Sequence, residues 1–117
     1  MTSILILLAA IFNLGFGLFH LLFWRLFDWR DNLASLKPVN RAIVPVLNLA
    51  LTFMFMMVGI LLIVSPAVDE LLIGMTLFWL FRAALQPIWF GLGHWLSKLM
   101  FVLFIAGAVL HPAAWWN

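Results

Sequence analysis

The stretch AIVPVLNLALTFMFMMVGILLIV, residues 42–64, carries only Asn48 and Thr52 as polar side chains, and every position from 53 to 64 is apolar. A strand of a membrane β-barrel alternates apolar and polar residues at period two, so this run excludes that architecture. As a helix it matches the roughly 20 apolar residues that a bilayer core requires. Three further apolar runs, 4–24, 71–90 and 94–110, lie on either side of it. Together they predict an all-α fold, a transmembrane four-helix bundle forming one domain over 1–117.

Composition points the same way. Of 117 residues, 68% are hydrophobic and 9% charged, against about 25% charged in an ordinary soluble domain. A water-soluble globule is therefore excluded. With no cysteine, disulfides, thiolate metal sites and cysteine nucleophiles are excluded as well. Six basic and four acidic side chains are too few for a nucleic-acid footprint.

The segment RLFDWRDNLASLKPVNR, residues 25–41, holds four of the six cations, and Lys98 lies close to the reversal FGLGHW at 90–95. The positive-inside rule places these two connections in the cytoplasm and both termini outside. Segment 25–41 reads as interfacial, with Trp24, Phe27, Trp29, Leu33 and Leu36 at headgroup level and Pro38 ending it. Pro45 falls in the first turn of the next span. SPAVDE, 65–70, is the following turn. Pro87 predicts a kink near Ala83, and the last span closes on HPAAWWN.

Polar side chains inside lipid are costly and are candidates for function. On the first span Asn13, Gly17, His20 and Trp24 share a helical face, and on the second Arg41, Pro45, Asn48 and Thr52 do. The third aligns Trp79, Arg82 and Gln86. Arg82 has no carboxylate at its own depth. Its neutral acceptors are the Asn48 amide oxygen, a His20 ring nitrogen and the Ala83 carbonyl freed by Pro87. Two readings follow: the side chain snorkels to headgroups, or it takes an oxygen from outside the chain. That oxygen belongs to a lipid phosphate, an acyl carboxylate, a quinone carbonyl or an acid of a partner, for which the planar guanidinium is well shaped. The ligand-binding set is Arg82, Gln86, Asn48, His20, Trp24 and Trp79.

For Asn13, Asn48 and His20 the structural alternative is hydrogen bonding between helices, and for His94 it is capping of the last span. Gly17, Gly59, Gly74 and Gly107 are expected to allow close helix approach. Haem b held by His20 and His94 is a further option, although no spacing motif supports it. No G-x-S-x-G elbow, H-E-x-x-H helix or phosphate loop is present, and no catalytic or metal-binding residue is assigned.

Through FHLLFW at 19–24, NRAIVPVLN at 40–48 and FWLFRAALQPIWF at 78–90, the chain resembles a group of small four-span bacterial inner-membrane proteins. In layout it is also similar to DoxX-like four-helix proteins. The resemblance implies fold and compartment only. The function expected from the residues is non-catalytic: a polar pocket in the cytoplasmic leaflet that binds a lipid-like or quinone-like amphiphile. The alternatives are an accessory subunit of a larger membrane complex and an oligomeric transporter or channel for a small anion. The partners are membrane lipid and either a second copy or another membrane protein.

Overall fold

The computed structural model describes residues 3–65 and 68–116. Helix α1 (Ile4–Leu21) starts at Ser3, whose Oγ accepts from the Ile6 N–H at 3.1 Å. That bond satisfies one of the donors a helix start leaves free. Two single-turn helices follow, α2 (Phe23–Leu26) and α3 (Trp29–Asn32). They are divided at Asp28, whose φ of 49° is a left-handed conformation that aspartate tolerates. Asn32 closes this bend by donating from Nδ2 to the Phe27 carbonyl at 2.7 Å.

Helix α4 (Pro38–Val64) begins earlier than the expected 42. Pro38 opens this helix instead of ending the segment before it, because the fixed φ and missing donor of proline suit a first turn. The earlier start puts Pro45 in the helix interior, where it removes the donor that the Arg41 carbonyl would otherwise receive. Helix α5 (Val68–Leu85) passes at Pro87 into a π turn, Gln86–Phe90. The irregularity expected near Ala83 takes this form, a local widening rather than a break. Helix α6 (Trp95–Trp116) continues through Pro112 beyond the expected end at 110, carrying His111 and Ala114 into the core. Of the expected turn at 65–70, Pro66 and Ala67 lie outside the described residues, and Val68 already belongs to α5.

The described residues contain no strand, and four helices are long and apolar enough to cross a membrane: Ile4–Leu21, Pro38–Val64, Val68–Phe90 and Trp95–Trp116. All four turn large apolar side chains outward, among them Ile11, Phe53, Phe81 and Val102. A water-soluble bundle would turn polar side chains outward instead.

Helix α1 packs most extensively on α4, and α5 on α6, while α1 also lies along α6 and α4 touches α5 only lightly. Trp79 of α5 joins all four. It is fully buried, with its ring 5.0 and 4.8 Å from Phe12 and Phe16 of α1, 5.4 Å from Phe55 of α4 and 5.9 Å from Phe104 of α6. Small residues let the helices come this close. A Cβ added at Gly59 would stand 2.6 Å from the Leu14 side chain, and one at Gly107 would stand 2.7 Å from Phe12. Gly17 faces Met56 in the same manner, but a Cβ at Gly74 meets nothing within 4 Å, so the close approach expected there does not occur.

Candidate functional site

Three polar groups occupy the bundle. Towards the end where α1 begins and α6 finishes, Asn13 and His111 are both fully buried. His111 Nδ1 lies 2.7 Å from the Gly107 carbonyl, which only accepts, so that nitrogen carries the hydrogen. Its Nε2 then accepts from Asn13 Nδ2 at 2.8 Å, and the second Asn13 N–H goes to the Ala9 carbonyl at 2.8 Å. Among the described residues Asn13 Oδ1 and Trp79 Nε1 are left without a partner. His111 was not among the expected polar residues of the membrane interior, because the last span was ended at 110. Its spacing of four from Gly107, on the face that also holds Phe104, is the signal that would have found it.

The second group joins α1 to α4 reciprocally. His20 Nδ1 donates to Asn48 Oδ1 at 2.7 Å, and Asn48 Nδ2 donates to the His20 carbonyl at 2.7 Å. The amide oxygen expected to receive Arg82 is thus engaged by His20. The two polar residues satisfy each other and hold their helices together.

The third group stands at the opposite end, where α2 and α3 fold under the bundle. A cavity of about 650 Å³ lies there between the α1–α3 segment and the facing ends of α5 and α6, lined by Phe19, Phe23, Phe27, Trp29, Asn32, Leu33, Arg82, Gln86, Phe90, His94, Leu96, Ser97 and Met100. Arg82 turns towards α6, with its Cζ 4.3 Å from the Phe104 ring centroid and 5.7 Å from that of Phe90. These ring faces are its close partners: among the described residues no hydrogen bond reaches Nη1. Such contacts stabilise a cation by about 0.5–2 kcal/mol, well below what a fully paired guanidinium receives. Gln86 Nε2 donates to Ser97 Oγ at 2.8 Å, Ser97 Oγ donates to the Gly91 carbonyl, and among the described residues Gln86 Oε1 has no partner.

Of the residues expected to bind a ligand, the fold brings Arg82 and Gln86 together on the cavity wall. His20 and Asn48 are committed to the α1–α4 pair, and Trp79 is in the aromatic core. Trp24 is half exposed and meets Trp29 edge-on at 6.4 Å. Of the two histidines considered for haem, His94 lies on the cavity wall, and its Nδ1 accepts from the Leu96 N–H at 3.1 Å at the start of α6. His20 is not on that wall. Among the described residues there is no group of three or more His, Cys, Asp or Glu that could hold a metal ion.

The aromatic lining was only partly visible in the sequence. Phe19, Phe23 and Phe27 repeat every four residues and so present one face to the cavity. Phe27, Trp29 and Leu33, expected at headgroup level, also line it, because the bend at Asp28 turns α3 beneath the bundle. No family model, curated protein or solved structure matches the chain.

Proposed function

We propose that this chain is a non-catalytic integral membrane protein, with segment 25–41 on the cytoplasmic side and both termini outside, whose cavity holds the polar head of a lipid-like or quinone-like amphiphile. The observation that carries the reading is the unpartnered Arg82 Nη1 beside a cavity walled largely by aromatic and aliphatic side chains. A guanidinium in such surroundings gains most from an oxygen that accepts two of its N–H groups.

The shape of the space favours an amphiphile over a free ion. A second hollow of about 360 Å³ runs between α1 and α6, is lined by apolar residues and glycine, and shares Phe19, Leu96 and Met100 with the first. Gly15 lies on it, and a Cβ there would meet nothing within 4 Å. A polar head beside Arg82 and a hydrocarbon chain along this groove would each lie in matching surroundings.

The test is native mass spectrometry of the purified protein with its co-purifying lipids. Arg82→Ala is expected to lose most of the retained lipid, and Arg82→Lys to recover part of it, since lysine brings charge without the planar fork. Equal retention by parent and both variants would reject the pocket. Recovery of a stoichiometric membrane protein bound through Arg82, with no lipid, would favour the accessory-subunit reading instead.

A further inference from the structure

The cavity offers two unmatched atoms of opposite kind, and a chain of hydrogen bonds decides which they are. Ser97 gives its one hydroxyl hydrogen to the Gly91 carbonyl, so towards Gln86 Nε2 the same oxygen acts as acceptor. The Gln86 amide is therefore anchored through its nitrogen, and the atom left over is an acceptor, Oε1. Gln86 is only 3% exposed, so this oxygen has little access to water. One turn earlier on the same helix, Arg82 leaves the complementary atom, the charged donor Nη1. The π turn at Pro87 sets the arrangement, since it begins at Gln86 and delivers the chain to Gly91, the residue that fixes Ser97.

We infer that the cavity selects an amphiphile whose head carries an anionic oxygen and, beside it, a hydroxyl donor. The oxygen meets Arg82, and the O–H meets Gln86 Oε1. This inference rests on the amphiphile reading and narrows it. A quinone carbonyl satisfies Arg82 but leaves the buried glutamine oxygen unmatched, and so does a phosphodiester head with no O–H or N–H donor, while an ammonium head donates only by bringing a second cation beside Arg82. Free hydrogen phosphate has both groups but lacks the chain that the groove of Phe19, Leu96 and Met100 accommodates. Both polar atoms are covered in the structure, so side chains of the cavity wall must turn for an occupant to reach them.

The experiment is competitive loading of the full chain in detergent, read by native mass spectrometry. Phosphatidylglycerol is paired with phosphatidylmethanol of identical acyl chains, which has the same charge and no hydroxyl. The parent is expected to retain phosphatidylglycerol roughly three- to tenfold better, the effect of one hydrogen bond to a buried acceptor. Gln86→Met should bring the two lipids to parity by lowering phosphatidylglycerol retention to the level of phosphatidylmethanol, which itself should change little. Ser97→Ala frees the amide to turn over and should lower the ratio, which keeps the test decisive if Gln86→Met does not fold. Equal retention of both lipids by the parent overturns the inference and leaves the amphiphile reading standing, whereas retention of neither also removes the phospholipid form of that reading. Displacement of phosphatidylglycerol by millimolar inorganic phosphate, or by a quinone at equal concentration, also overturns it.

Discussion

Around Asn13 and His111 the helices close on their polar groups, while around Arg82 and Gln86 they stand apart. Both regions leave buried polar atoms unmatched: Asn13 Oδ1 and Trp79 Nε1 in the first, Arg82 Nη1 and Gln86 Oε1 in the second. They differ in space. Next to the first pair, a single methyl at Gly107 would stand 2.7 Å from Phe12 and 3.1 Å from Trp79. The second pair adjoins about 650 Å³. An unmatched buried group costs about 1–3 kcal/mol in either setting, but only where there is room can something from outside remove that cost. The closed region is accordingly read as stability and the open one as binding, and the two should respond oppositely to mutation.

The largest effect is expected in the closed region. Trp79→Ala removes the ring that touches all three other spans and should lower unfolding free energy in mixed micelles by about 3–5 kcal/mol. A loss below about 1 kcal/mol would mean that the helices meet elsewhere. Overpacking comes next. Gly107→Val should cost about 1–3 kcal/mol because Phe12 and Trp79 must both move. Gly74→Val, made at a position with open space, should stay within about 0.5 kcal/mol of the parent. Similar losses at the two glycines would erase the distinction between packed and open helix faces.

A smaller effect separates the reciprocal pair from both regions. A double-mutant cycle with His20→Ala and Asn48→Ala should give a coupling of about 0.6 kcal/mol, with about 1.7 kcal/mol as the upper range for hydrogen bonds between membrane helices. Lipid retention should be little changed in this cycle, since neither residue lines the cavity. Loss of lipid without loss of stability would return His20 and Asn48 to the binding set.

The four spans were legible from apolar run lengths, the division into a closed and an open region only in part, and the places where it was not have physical causes. The four spans were visible because membrane helices announce themselves by continuous apolar length. Their ends were less so: Pro38 was read as ending a segment and the last span was stopped at 110, yet Pro38 starts a helix and α6 continues through Pro112, which hid His111. Arg82 and Gln86 were found because a cation without a carboxylate stands out in an apolar run. Which acceptors they would lack was not visible, since the pairing of Asn48 with His20 depends on the register of α1 against α4. The cavity floor depends on one left-handed residue, Asp28, and apolar patterning carries no information about a reversal of that kind.

The smallest effect on stability is expected at Arg82, and it is the sharpest test of the comparison. Arg82→Met keeps an unbranched side chain over Phe104 and removes a charge whose close partners are two aromatic rings. In delipidated detergent the variant should be about as stable as the parent, because the loss of the contacts with the Phe104 and Phe90 rings is offset by removal of a poorly solvated cation. Added lipid should separate the two. A ligand that binds only the folded state stabilises it by RT ln(1 + [L]/Kd), about 2.7 kcal/mol at a hundredfold excess over Kd. The parent melting temperature should therefore rise with phosphatidylglycerol while that of the variant stays flat. If Arg82→Met is markedly destabilised without lipid, the guanidinium is a structural element like His111, and the open region is no different in kind from the closed one.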